Sequence, residues 1–353
     1  MTLIQSEAMN EGLLGTYGCG LRMTGWGGSH TMRYSQLVGP RTSEVVDAPC
    51  PRVGAGEVLV RVTMCGVCAS ELHPWQDGMS ASPFRLGHEP VGVVEEIGAG
   101  VTHVAPGDRV TGLFQRAFSE YCVAPEDVLL PVPAGLPDER ALGEPLACLV
   151  NALRRTPVEL ADQVALIGLG YMGLGFLQLL KLKGPSRIVA IDVREEARHK
   201  AAALGADEVY HPAEVPDDYL LTRFGDWDSD RGLDVVVEAS GTQPGLTLAG
   251  KLVRAHGVLS ILGYHQGGMR EVDVQMWNWK AIDVVNAHVR RRADLLESMR
   301  IGLALEERGL IDLGRLVTHR FGLDEVDAAY AALRDKPDGF IKAVIEPAFR
   351  RES

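Results

Sequence analysis

The eleven residues Gln163–Gly173, QVALIGLGYMG, constrain the 353-residue chain more than any other stretch. QVALI is a continuous apolar run, as expected of a strand buried on both faces of a parallel sheet. Gly168, Gly170 and Gly173 follow at GxGxxG spacing around Tyr171 and Met172, and an apolar-periodic helix is predicted from Gly175 to Leu182, stopped by Gly184 and Pro185. Each glycine answers a separate physical need. Gly168 permits a tight turn, Gly170 lets backbone approach a pyrophosphate, and Gly173 lets helix pack on strand; the helix start leaves N–H groups free for the anion. Asp192 ends the next strand, nineteen residues after Gly173. A carboxylate there accepts hydrogen bonds from the adenosine ribose hydroxyls and repels a 2′-phosphate, which favours NAD. Arg194, two residues on, leaves dual use open.

The same texture continues. Strands are predicted at Arg187–Ile191, Glu208–Tyr210, Leu233–Val237, Val258–Leu262 and Ile282–Val285, with helices at Glu195–Leu204 and Gly245–Val253 between them. Alternating βα units mean a doubly wound parallel sheet. From Met32 to about Leu146 the chain is different. Short apolar runs, among them Glu57–Val62, Val91–Ile97 and Arg109–Gly112, alternate with Gly, Pro and Asp turns and read as an all-β segment. Near the end a helix, Leu323–Leu333, and a strand, Phe340–Ile345, are expected. Residues 1–31, rich in Gly, read as an N-terminal extension.

Composition excludes some partners. A formal net charge of −12 argues against nucleic acid and anionic membranes, which need a basic face. The basic run Arg290–Arg292 reads as a solvated helix start. No eighteen-residue apolar run and no secretory signal is present, and the six cysteines have no disulfide-framework spacing, so a reducing cytoplasm is expected.

A second stretch carries chemistry of its own. CGVCASELHPW, from Cys65, and RLGHEP, ending at Pro90, place Cys68 and His88 twenty positions apart, each near a carboxylate, Glu71 or Glu89. Thiolate, imidazole and carboxylate form a ligand set for a catalytic zinc with one position open. Pro90, a helix breaker, is expected to keep His88 and Glu89 on a turn.

CGVCASELH, GHEPVGVVEEIGAGV and GDRV together resemble the zinc-dependent medium-chain dehydrogenases of the alcohol and sorbitol dehydrogenase type, over about Met32–Pro347. The resemblance implies a Rossmann doubly wound sheet, residues 156–289, inserted into a chaperonin-10-like β-barrel catalytic domain formed by residues 32–155 and 290–353. It implies Cys68 rather than Cys65 as ligand, with His88 and either Glu89 or Glu144. Ser70 and His73 match a proton relay that runs through the cofactor ribose. Gly263 should lie near the nicotinamide, and Lys342 near the pyrophosphate. Two departures stand out: Glu71 replaces the more usual Asp that supports the metal shell, and Ala69 replaces a basic residue or glycine. The four-cysteine lobe that holds a structural zinc in many relatives has no counterpart after GDRV (Gly107–Val110), so one zinc per chain is expected.

Glu144 in place of a third cysteine points to a polyol, cyclitol or sugar derivative as substrate. Trp75 is a candidate for the cleft wall; Trp277 and Trp279 are candidates for the subunit interface of a homodimer or homotetramer, with sugar stacking as the other role. Three readings compete: an NAD- and zinc-dependent dehydrogenase of a secondary alcohol, with a simple-alcohol or amino-alcohol dehydrogenase of the same family as its alternative; a zinc-free, quinone-reductase-like NADPH enzyme; and a cofactor-binding protein that has lost catalysis. Intact Cys68, Ser70, His88 and Asp192 favour the first.

Overall fold

The computed structural model describes residues 31–226 and 229–349. The extension read at 1–31 therefore lies, but for Thr31, outside the described residues.

The first half is strand-rich, as its turn-punctuated pattern requires. A hairpin of β1 (Thr31–Gly39) and β2 (Thr42–Pro49) precedes β3 (Glu57–Gly66), β4 (Glu89–Ile97), β5 (Arg109–Gly112), β6 (Tyr121–Pro125) and β7 (Leu129–Pro131). β3 is the spine: it pairs antiparallel with β4 along most of its length, with β6 at one end, and at Cys65 and Gly66 with the last strand of the chain. The connection from β5 to β6 is only residues 113–120 and contains no cysteine. A short helix, α1 (Leu72–Asp77), follows β3, and α2 (Gly143–Arg155) leads out of the segment.

β4 corrects one expectation. Glu89 and Pro90 belong to the strand, opposite Gly66 and Cys65, and only His88 remains on the turn. Proline is tolerated at the start of a strand, where its missing N–H costs little, so Pro90 breaks helix without ending extension.

The second sheet contains β8 (Gln163–Ile167), β9 (Arg187–Ile191), β10 (Glu208–Tyr210), β11 (Leu233–Glu238), β12 (Val253–Ile261) and β13 (Asp283–Asn286). They run in the order β10-β9-β8-β11-β12-β13, all parallel. That order reverses direction at β8, and such a switch point opens a ligand crevice at the strands' carboxyl ends. Val164, Ala165 and Leu166 are wholly buried, as an apolar run sandwiched between helices demands. The flanking helices are α3 (Tyr171–Leu180), α4 (Glu195–Ala203), α5 (Gln243–Leu252) and α6 (Val274–Lys280). Several boundaries in this half shift by a residue or two, and two helix or strand starts move by four or five. α3 begins four residues early because Gly170 is its N-cap, which draws Gly173 and Gly175 into the helix. β12 begins at Val253, where the helix was expected to end, because Leu233 of β11 pairs with it there.

α6 contains the QMWNWK run. Trp277 packs against Gly250 of α5, where an added Cβ would meet its Nε1 at 2.5 Å. Lys280 is buried and donates to the carbonyls of Gly250, Lys251 and Val253, capping the end of α5. Burial pushes its pKa down to about 8.

The chain then forms α7 (Arg292–Glu307), which packs on α2, followed by β14 (Val317–Phe321), α8 (Val326–Asp335) and β15 (Lys342–Ile345). β15 pairs with β3 and β14 with β15, so both rejoin the first sheet. Arg290–Arg292 do precede and open a helix, with Arg292 bonded to Asp127. No described helix is long and apolar enough to cross a membrane.

Candidate active site

Cys68 follows β3 and caps a single 3-10 turn, Ala69–Glu71, that runs into α1. His88 and Glu89 lie at the mouth of β4 beside it. One ligand atom from each of Cys68, His88 and Glu89 lies within 4.8 Å of the others. Thiol, imidazole and carboxylate thus converge from two segments, and the donor set suits zinc. Cys65 is not in the group; it is fully buried, which pushes its thiol well above the usual range.

The supporting shell answers the Glu71 departure. Glu71 Oε1 lies 3.0 Å from His88 Nδ1 and accepts from Gly87 N at 2.8 Å, while Oε2 accepts from Tyr330 Oη at 2.7 Å. The longer side chain therefore reaches. It fixes the imidazole with Nε2 free to face Cys68, the carboxylate–histidine arrangement that orients metal ligands. Burial alone would raise the Glu71 carboxyl, but His88 and the hydrogen bonds outweigh it and hold it below the usual range. Burial likewise would lower His88, but Glu71 and Cys68 raise it well above normal. A metal would take the place of that extra proton.

Two residues lie elsewhere than expected. Lys342 is buried; its Nζ donates to Glu89 Oε2 at 2.5 Å and to Val67 O at 3.0 Å, so its charge is committed to the carboxylate of the metal group rather than held out to a pyrophosphate. The same ammonium lies 4.6 Å from the centre of the Tyr171 ring, which joins the glycine turn to the metal group. Trp75 is not on the cleft wall. It is 2% exposed, stacks on Tyr330 with centroids 5.6 Å apart, and donates to Asp327 Oδ1 at 2.8 Å, making it core.

Glu144 sits in the first turn of α2, where Gly143 N donates to Thr111 Oγ1. Its carboxylate lies outside the close group, but burial raises its pKa, and His88, Glu89 and Lys342 all influence it. Cys148, one turn along, donates to Glu144 Oε1 at 3.3 Å. Ser70 Oγ is 3.3 Å from Cys68 Sγ, and the exposed His73 pairs through Nδ1 with Asp77.

The glycine turn has the geometry its spacing predicts. Gly168 has φ +90°, and a Cβ there would meet Ser240 N at 2.6 Å; Gly170 faces open space; a Cβ on Gly173 would collide with Gly168 O. Asp192 accepts from Leu169 N at 2.7 Å and Arg194 N at 2.8 Å, bracing this turn while keeping lone pairs to spare. The Arg194 guanidinium is tied to Phe340 O at 2.9 Å and lies 3.6 Å from Asp192. Gly263 abuts Gly241 and the buried Glu238 at the ends of β11 and β12.

Sequence reasoning missed Glu238, Lys342 as the partner of Glu89, and Tyr330 as the partner of Glu71. Only the first had a local signal: a carboxylate ending an apolar strand, VVVE, as Asp192 ends another.

Comparison with known proteins agrees. An alcohol dehydrogenase GroES-like domain matches residues 54–134, the strand-rich half, and a zinc-binding dehydrogenase domain matches residues 172–302. Alcohol dehydrogenase of Cupriavidus necator is 26% identical over 368 residues, covering 90% of this chain and 99% of that protein. Sorbitol dehydrogenase of Halalkalibacterium halodurans is 29% identical over 335 residues, covering 86% and 95%. A solved zinc-binding dehydrogenase of Sinorhizobium meliloti, bound to NADP, superposes with a TM-score of 0.78 at 25% identity, covering 90% of this chain and all of that one. With a GroES-like half, a doubly wound half and relatives matched along nearly their full length, the chain belongs to the zinc-type medium-chain dehydrogenase family.

Proposed function

We propose that this oxidoreductase is a zinc enzyme that transfers hydride between NAD and a secondary alcohol or ketone within a polyol, cyclitol or sugar derivative. The observation that carries the reading is the convergence of Cys68, His88 and Glu89 within 4.8 Å, next to a glycine turn shaped for a dinucleotide. Zinc held by Cys68, His88 and one carboxylate, Glu89 or Glu144, would supply Lewis acidity toward the substrate oxygen.

The chain's own residues do the rest. Glu71 holds the His88 ring in register. Lys342 offsets the charge of Glu89 and limits its reach. Ser70, at the thiol, receives the substrate's hydroxyl proton as it passes its own onward, and His73, exposed beside Asp77, ends that relay by releasing a proton to water. NAD held at the glycine turn would supply the hydride acceptor; the protein orients the two reactants. Asp192 favours NAD, and the engagement of Arg194 with backbone and carboxylate leaves it poorly placed for a 2′-phosphate. The carboxylate-rich metal group and the sorbitol dehydrogenase relative support a polyol-type substrate. The same reading has one zinc per chain, a homodimer or homotetramer, a cytoplasmic location, and no nucleic-acid or membrane partner.

Reduction of NAD and NADP across a panel of polyols, cyclitols and simple alcohols, with elemental analysis of the same sample, tests this. NAD-linked turnover of a polyol-type substrate at close to one zinc per chain is expected. Preference for NADP, turnover confined to simple alcohols, two tightly held zinc ions per chain, or activity without zinc each removes the corresponding part.

A further inference from the structure

Beyond the metal group, the loop that leaves β12 contains a polar chain unused by the reaction as described. Glu238 ends β11 fully buried. Its Oε1 accepts from Ser240 N at 2.7 Å, Gly241 N at 3.0 Å and the Ser240 hydroxyl. Its Oε2 is 2.8 Å from His265 Nε2. Arg270 Nε, which can only donate, lies 3.2 Å from His265 Nδ1, so the imidazole proton sits on Nε2 and is given to Glu238. The remaining Arg270 nitrogens hold the backbone of the loop and of the turn after β11, donating to Gln266 O at 2.6 Å, Gly268 O at 3.2 Å and Gly241 O at 3.4 Å.

Folded this way, the loop touches the metal loop. Gln266 Nε2 donates to Ala69 O, next to Cys68, at 3.0 Å. Gly267 comes so near His73 that an added Cβ would lie 3.5 Å from its Nε2. A dinucleotide lies across the carboxyl ends of a doubly wound sheet, one nucleotide on each side of the switch point. With Asp192 marking the adenosine side at β9, the nicotinamide half falls at β11 and β12, where Glu238 and Gly263 sit.

We propose that Glu238, His265 and Arg270 form a positioning clasp, folding residues 263–271 so that Gln266 docks on Ala69 and fixes the nicotinamide end of the cleft against the metal loop. Hydride transfer needs reacting atoms about 3–3.5 Å apart, so a small slip between the two loops is costly. None of the three residues touches the metal group; they act through the loop. The inference rests on the dehydrogenase reading.

NADH and ADP-ribose binding to the full chain, with amide hydrogen exchange of the ligand-free protein, tests it. ADP-ribose has the adenosine and pyrophosphate but no nicotinamide. His265→Ala should weaken NADH about tenfold, leave ADP-ribose unchanged, and speed exchange in both residues 263–271 and 68–73. His265→Gln, whose side-chain amide can donate to Glu238 as Nε2 does, should recover most of the loss. Gln266→Ala should speed exchange in residues 68–73 while the rest of the clasp holds. Unchanged NADH binding in His265→Ala, or equal weakening of NADH and ADP-ribose, overturns the clasp alone. A wild-type chain that binds neither ligand overturns the dehydrogenase reading and the clasp's role together.

Discussion

Gly168, Gly170 and Gly173 do their work within six residues and mostly through backbone, whereas Cys68, His88 and Glu89 of the metal group, with Glu144 and Lys342 beside them, are side chains gathered from three strands or their ends and one helix. The glycine turn needs only a strand, a helix start and room for the backbone. The metal group needs β15 to return from the far end of the chain and dock on β3, because only that pairing brings Lys342 to Glu89. A backbone-built site is specified locally and fails through sterics. A side-chain-built site is specified by topology and fails through charge left without a partner.

The widest separation between the two sites should come from a crossed pair of substitutions. Cys68→Ser is expected to lose tightly held zinc and to lower turnover by more than the ~10²-fold that loss of an outer-shell partner causes, with NADH binding intact. Gly173→Val, whose side chain would collide with Gly168 O, should abolish NADH binding and retain the metal. Elemental analysis and fluorescence titration of both proteins check this; metal kept in Cys68→Ser would remove the thiolate from the ligand set.

Asp192→Ser sharpens the comparison at the edge of the backbone site. Since Asp192 also accepts from Leu169 N, both cofactors should bind less well, and the ratio of the two is the readout. That ratio should move about tenfold or more toward NADP. An unmoved ratio in steady-state kinetics with each cofactor would assign Asp192 to bracing the turn alone.

The smallest expected effect concerns the packing that joins the halves. Glu306 of α7 is buried; burial pushes its pKa up to about 7 despite Leu313 N at 2.7 Å and the Arg140 guanidinium. The folded chain therefore binds more protons than the unfolded chain between the ordinary 4.5 and about 7. Its contribution to stability is full below that window and lost as pH rises through it. The melting temperature of the wild type, relative to Glu306→Gln, should fall by a few degrees across the window and level off above it. A flat difference would show that Arg140 keeps Glu306 charged throughout.

Much of this was legible beforehand, for a physical reason that differs by element. β8 and β9 have the bounds that their apolar runs suggest, because a strand buried on both faces writes its length into consecutive residues. The glycine turn and Asp192 were legible because Asp192 meets Leu169 within a single βαβ unit. Cys68 and His88 were readable from spacing and resemblance. Tertiary structure alone decided that Trp75 stacks on Tyr330, that Lys342 turns inward to Glu89, that Tyr330 holds Glu71, and that Glu238 reaches His265 and, through the loop, Ala69. These pairs are separated by 27 to 259 positions, so no periodicity connects them. A buried charge or hydroxyl takes whichever partner the packed chain brings within about 3 Å, and that choice exists only after the sheets have formed.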